Sequence, residues 1–349
     1  MSRWLAASSG ILIAVGAISA VILVVLIGLA LLGHAPTTVL TTWFHGAAGS
    51  WTRLALSVQE AGPLLLTGLA AAVAFRCGVW NIGAEGQFLI GAVTMVAFGT
   101  VLLIPGPGWL ILSIVLILSA FSGAAWALLA TGLERWRGVP VVLSTILLNF
   151  IAVAVVGMLV QGPLHDPTTT APQTALMAEQ MRLPVLVEGT RLHLGVLLAA
   201  IIAVALWLVL KRTTIGFEVQ VVGLNPDAAR LMGMPVGARQ VLVMAVSGGL
   251  AGFAGAAHVA GVTGMLSGSP VSYGYAGIAV AMLGRLHPLG ILVAALFLGM
   301  LSTGASGLER RLGIPHDLGD VVQGLLVLAV LVGGGITARR ALRPQAEST

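Results

Sequence analysis

The sequence predicts an all-α polytopic membrane protein of about ten transmembrane helices, with both termini in the cytoplasm. Three observations carry this. Hydrophobic residues make up 58% of the 349 and charged residues 8%, and the mean hydropathy is +1.04, so the chain cannot expose its apolar surface to water. Apolar segments of about 20 residues, long enough to cross the hydrocarbon core, recur with centres near residues 22, 67, 93, 120, 150, 201, 250, 277, 295 and 326. With the amino terminus inside, Arg3, Arg76, Arg135, Arg137, Lys211, Arg212, Arg230, Arg239, Arg285, Arg339, Arg340 and Arg343 fall on the cytoplasmic side. Only Arg53, Arg182, Arg191, Arg310 and Arg311 fall outside, the asymmetry that the positive-inside rule requires.

The first apolar segment, over 11–32, is too long for the core of a signal peptide and lacks a small-residue cleavage site, so it reads as a retained anchor. A first half of the membrane domain follows over 58–160 and a second over 193–335. Between them, 161–192 carries Pro163, Pro167, Pro172, Pro184 and the run Thr168-Thr169-Thr170, which reads as an extracytoplasmic loop. It is large enough to meet a partner, and equally a plain connector.

The net charge is +5, but the basic residues are spread over many loops, so they record orientation and give no footprint for nucleic acid. The lone Cys77 supplies no disulfide framework. A P-loop needs a lysine and a hydroxyl after a glycine-rich turn, yet Lys211 is the only lysine and Arg212 follows it. No zinc-protease or serine-hydrolase signature appears either. The chain therefore reads as no enzyme, with no cofactor of its own.

The polar stretch Asn81-Ile82-Gly83-Ala84-Glu85-Gly86-Gln87, between Trp80 and Phe88, interrupts this apolar background. A carboxyl group near the membrane interior persists only beside a polar cavity or a partner, which makes Glu85 a candidate site residue. Asn81, Glu85, Gln87 and, in the fifth span, Asn149 offer hydrogen-bond donors and acceptors, while Trp80, Phe88 and Tyr273 can stack on a ring. The structural readings stand beside these: Asn81 as a helix cap, Trp80 and Tyr273 as an interfacial belt, and Glu85 as a brace through a neighbour such as Arg76.

The inner segment 211–240 contains a short helix with clear ends. Asn225 suits the N-cap, Pro226 the first helical position, Asp227 the positive end of the dipole and Gly233 a left-handed stop. About two turns are marginal alone in water, so a docking partner or an incidental loop would have to hold it. The turn Leu283-Gly284-Arg285-Leu286-His287-Pro288 reads as a tight helical hairpin. In the seventh span, Gly248, Gly252 and Ala256 recur every four residues with Gly249 and Gly255 alongside, a pattern for close helix packing. His258, one turn on, could line a pathway, though a single histidine on such a helix is more often a packing residue. Gly68-Leu69-Ala70-Ala71 and Gly249-Leu250-Ala251-Gly252 head the two halves in opposite directions, the signature of an inverted repeat.

Four stretches together resemble the permease subunits of bacterial ABC importers, in the group for nucleosides and simple sugars related to the branched-chain amino acid and ribose permeases. They are Trp80 to Gln87, Leu147-Leu148-Asn149-Phe150, Val222 to Arg230, and Gly277 to Arg285. The resemblance covers about residues 58 to 335 and implies one transmembrane permease domain over 1–349 in the bacterial inner membrane. It further implies a second, usually different permease chain, two cytoplasmic ATPase subunits that use the ATP, and an extracytoplasmic substrate-binding protein. The short helix then becomes a coupling helix, with Gly223, Asn225, Pro226, Asp227, Ala229, Arg230 and Gly233 as its residues. An ion-coupled secondary transporter of a small polar solute and a passive channel are the alternative readings. The absence of basic clusters within spans argues against phosphorylated cargo and for a neutral polar solute.

Overall fold

The computed structural model describes residues 16, 19–101, 105–268, 272–326, 328–329 and 332. The expected start of the first span and the basic residues Arg3, Arg339, Arg340 and Arg343 lie outside them. Among the described residues the chain is helical, with three isolated β-bridges and no strand. It divides into two units, Met1–Ser57 with Leu298–Thr349, and Val58–Phe297.

The first unit begins with α1 (Ser19–Leu31) and α2 (Pro36–Ala48), bent by 117° at their junction. Pro36 opens α2, where its missing N–H is harmless. The sequence reading of one straight anchor over 11–32 did not anticipate α2. α3 (Trp51–Arg76) starts in this unit, where Ser57 donates to the carbonyl of Ala47 at 2.7 Å. The unit also holds the second part of α12 (Pro288–Leu312). α2 meets it backbone to backbone: a methyl on Gly46 would lie 3.0 Å from the Cα of Gly307. A further helix, α13, covers 317–326.

The second unit contains the rest of α3, then α4 (Ala84–Thr100), α5 (Gly108–Arg137), α6 (Val141–Gln161), α7 (Leu194–Arg212), α8 (Thr214–Leu224), α9 (Pro226–Leu231), α10 (Val236–His258), α11 (Tyr273–Leu283) and the start of α12. All ten expected centres fall within helices. Among the described residues, six helices are long and apolar enough to cross a membrane alone, or seven spans if the bent pair counts as one. The others are shorter: α4 has 17 residues and α11 has 11.

Small residues bring α4, α5 and α10 together. A methyl on Gly255 would collide with the carbonyl of Phe88, and one on Gly91 with that of Gly252. On the α5 side, a methyl on Gly252 would sit 2.5 Å from the carbonyl oxygen of Ser119. Such contacts let dispersion act between main chains where the bilayer supplies little hydrophobic drive. Ala92, Met95, Val96, Val115, Ala256 and Ala260 fill the space above them.

α10 does not stop at His258 but widens into a π-helical turn over Val259–Thr263. The 161–192 segment is ordered against that end of α10. Leu183 donates its N–H to Ala260 (2.9 Å), Met177 to Gly264 (2.8 Å) and Thr174 to Leu266 (3.0 Å). A cavity of about 930 Å³ lies between the two, lined by Leu183, Arg182, Arg191 and Gly261 among others.

Candidate substrate path and coupling helix

The polar break follows from how α3 ends. Gly78 has φ +76°, and the N–H groups of Gly78 and Val79 return to the carbonyls of Phe75 and Ala74, each at 3.0 Å. This left-handed stop turns the chain and leaves 78–83 irregular before α4 begins. Irregular backbone inside an apolar domain needs side-chain partners, and the neighbouring spans provide them. Asn149 of α6 accepts from Gly86 N–H (2.8 Å) and donates to the carbonyl of Ile82 (2.9 Å) and the hydroxyl of Tyr275 (3.2 Å). Thr145 accepts from Ile82 N–H at 3.3 Å.

Asn81 and Gln87 are tied to each other. Each donates its amide to the other's oxygen at 3.0 Å, and Asn81 donates also to Ser247 Oγ at 2.9 Å. Ser247 in turn donates to the carbonyl of Ala70 at 2.6 Å. Asn81 Oδ1 accepts from Gly83 N–H at 2.9 Å, an Asx-type turn ahead of the helix; the N-cap itself is Gly83, so the cap role weighed for Asn81 is not the one it takes. Asn81, Gln87 and Asn149 are all buried, and their polar atoms are largely consumed in holding the break.

Glu85 sits in the first turn of α4, and its Oε2 accepts from the N–H of Gly274 in the first turn of α11 at 2.8 Å. One carboxyl group thus lies at two helix N-termini, where the dipoles favour negative charge. This accounts for a buried acid that has no cationic partner among the described residues; Arg76 instead donates to the carbonyl of Leu286 at 2.7 Å. The two helix starts touch: a methyl on Gly274 would collide with the backbone of Glu85. Glu85 Oε1 is buried without a hydrogen-bond partner among the described residues.

An aromatic group adjoins this junction. Tyr273 packs on His258 (ring centroids 4.9 Å apart) and on Phe88 (5.8 Å), and Phe88 on His258 (6.0 Å). The Tyr273 hydroxyl donates to Glu60 Oε2 at 2.6 Å. Among the described residues, His258 Nδ1 has no hydrogen-bond partner, and neither has Nε2 of His193. The His193 ring lies against Gly261, where an added methyl would strike it. Gly261 also lines the 930 Å³ cavity. His258, Phe88 and Tyr273 thus form a column that ends at the two carboxyl groups, Glu60 and Glu85, while His193 lies against Gly261 of the cavity wall.

Of the residues singled out in the sequence, the structure brings Glu85, Phe88 and Tyr273 into this column. Trp80 stands apart, 54% exposed and packed on Phe75 at 4.7 Å. Glu60, inside α3, and His193, at the start of α7, went unremarked because a single polar residue in or beside an apolar helix carries no spacing signal. His258, weighed both as pathway lining and as packing, faces two aromatic rings.

At the other end of the second unit, α9 is built as its residues require. Asn225 Oδ1 accepts from Asp227 and Ala228 N–H, both at 3.0 Å, Pro226 opens the helix, and Gly233 closes it with φ +78°. Ala229 is fully buried among Cys77, Val79 and Val222. Gly223 approaches the end of α3 so closely that a methyl there would collide with the carbonyl of Arg76. Arg230 pairs with Asp227 at 2.6 Å on the exposed face. Leu224 and Leu231 flank it at 88% and 91% exposure, and Met232 at 65%. These three exposed side chains, beside polar ones, form a small apolar patch on α9 and its ends.

Residues 54–331 match the family described as the permease component of branched-chain amino acid transport systems. The chain is similar to the guanosine ABC transporter permease protein NupP of Bacillus subtilis (32% identical over 302 residues, 85% of this chain and 86% of that one). It is also similar to the nucleoside ABC transporter permease protein NupB of Lactococcus lactis (34% over 302 residues, 83% and 82%). A third relative is the glucose ABC transporter permease protein TsgB13 of Haloferax volcanii (33% over 285 residues, 78% and 74%).

Proposed function

Since the chain belongs to the permease-component family of branched-chain amino acid transport systems, and so is the membrane-spanning permease subunit of an ABC transporter, we propose that its cargo is a nucleoside or a simple sugar. In this reading the cargo moves inward, through the bacterial inner membrane, along the column that ends at Glu85. The observation that carries the reading is the meeting of α4 and α11 at Glu85 beside Phe88, His258 and Tyr273. Discontinuous helices meeting within a membrane domain are where transporters bind cargo. Aromatic faces suit a base or sugar ring, and unpartnered carboxyl and imidazole atoms suit its hydroxyl and amino groups. Relatives named for guanosine, nucleosides and glucose support the same cargo class.

ATP hydrolysis then belongs to separate cytoplasmic subunits, and α9 with Leu224, Leu231 and Met232 is the surface that seats on one of them. A second permease chain, different from this one, completes the membrane part, and an extracytoplasmic binding protein delivers cargo to the face carrying the ordered 161–192 segment. Both termini are cytoplasmic in this arrangement.

The test is uptake of labelled guanosine, uridine, glucose, ribose and leucine in cells with and without this gene and its neighbouring ATPase gene. Uptake of a nucleoside or sugar that needs both genes is the expected result. Leucine uptake alone, or uptake that survives loss of every candidate ATPase, overturns it.

A further inference from the structure

A second, smaller cavity of about 210 Å³ lies at the end of the second unit that carries α9. It is lined by Arg76, Trp207, Leu210, Lys211, Gln220, His287 and Pro288. Three basic side chains from three separate segments converge on it: the last residue of α3, the last turn of α7, and the α11–α12 turn. None has an acidic partner; the ion pairs among the described residues are Arg230 with Asp227 and Arg239 with Glu218. Arg76 uses its Nε on the carbonyl of Leu286, and its terminal nitrogens have no hydrogen-bond partner among the described residues.

The turn that brings His287 here is strained. Arg285 and Leu286 have φ of +54° and +57°, a conformation costly for residues with a Cβ and retained only where surroundings enforce it. Arg76 enforces it by holding Leu286.

Size and depth decide what fits. Cavities for drug-sized ligands run about 300–1,000 Å³, so this one is too small for a second cargo molecule and suits a single phosphate group. Lys211 lies over the ring of Trp207, 5.1 Å from its centroid and one turn nearer the end of α7. A tryptophan one turn below a lysine at a helix end places that end at headgroup depth. Only 22% of the apolar window of α7 is buried within the protein, so the cavity opens beside a lipid-facing helix.

We propose that this cavity binds the phosphate of an anionic phospholipid of the cytoplasmic leaflet, through Arg76, Lys211 and His287. Because a glycine of α8, Gly223, abuts the main chain of Arg76, the lipid would clamp the base of the α8–α9 segment. The proposal does not depend on which cargo is carried.

The experiment is native mass spectrometry of the full-length chain released from nanodiscs of phosphatidylcholine with phosphatidylglycerol. The wild type should retain phosphatidylglycerol in preference to phosphatidylcholine. Lys211→Gln should weaken that retention about fivefold, and Lys211→Gln with His287→Gln should weaken it further, as expected for basic residues at a membrane surface. Arg212→Gln, one residue on and outside the cavity lining, should leave it unchanged. Equal retention in the wild type and the double variant overturns the proposal, as does an equal loss in Arg212→Gln, which would reduce the effect to general surface charge. Displacement of the lipid by millimolar inorganic phosphate would assign the cavity to a soluble anion and overturn the lipid assignment.

Discussion

Gly249 and Gly252 lie three residues apart in α10, and the structure predicts opposite responses to the same added methyl group. At Gly252 the methyl falls 2.5 Å from the carbonyl oxygen of Ser119 and 2.9 Å from the Cα of Gly123. Both are main-chain atoms of α5, which no side-chain rotation can move aside. At Gly249 the nearest atoms are the Ala120 carbonyl oxygen at 3.5 Å and the Ala124 Cβ at 3.9 Å, ordinary van der Waals contact. Glycine to alanine within a helix stabilises by about 0.5–1 kcal/mol, and that term is common to both variants. Overpacking costs about 1–3 kcal/mol and applies to Gly252→Ala alone, so the two should differ by about 1–3 kcal/mol. Thermal unfolding of the detergent-solubilised full-length chain, followed by tryptophan fluorescence, reads the ranking. Gly249→Ala should melt at or above the wild type and Gly252→Ala below it. If Gly252→Ala melts as high as Gly249→Ala, α5 and α10 are not in backbone contact there and the packing account fails.

Two further outcomes are expected. Leu231→Asp, at a side chain 91% exposed, should leave the amount of protein in the membrane unchanged, since such surface changes fall within about 0.5 kcal/mol, while ATP-driven uptake is lost. Normal uptake in that variant would remove α9 as the coupling surface. Asn149→Leu leaves Gly86 N–H and the Ile82 carbonyl without their partner. At about 1–3 kcal/mol for each buried unpaired group, it should destabilise by about 2–6 kcal/mol, and a melting curve unchanged from the wild type would contradict those bonds.

Helices were legible because a run of about 20 apolar residues has few other fates, and the ends of α9 were legible because a cap, a proline and a left-handed glycine each act within a few residues. What escaped the sequence was non-local. α2 lies beyond the anchor expected over 11–32 and was not anticipated, nor was its bend from α1, because helix propensity is silent about a 117° turn. The break at 78–83 was visible as polar residues among apolar ones, but its bonding was not. Asn81 and Gln87 satisfy each other across one turn, and Asn149 reaches in from α6. The Glu85 contact with Gly274 spans 189 positions of sequence, and no periodicity encodes such a pairing. His258 and Glu60 became site residues only when α11 delivered Tyr273 between them.

That pairing also bears on what the path can carry. The N-termini of two short helices, left open inside a membrane, would attract an anion through their free N–H groups and aligned dipoles. Here the protein supplies its own acid: Glu85 occupies the start of α4 and accepts from the start of α11. An anionic cargo arriving at this junction would have to displace a covalently tethered carboxyl group and would then lie beside it, and beside Glu60 on the Tyr273 hydroxyl. A neutral solute meets no such opposition. It can use the carboxyl oxygen and imidazole nitrogen that lack partners and stack on Phe88 or Tyr273. The same feature that lets the chain be broken within the membrane thus opposes negative charge, which in the proposed path favours an uncharged nucleoside or sugar over a phosphorylated one.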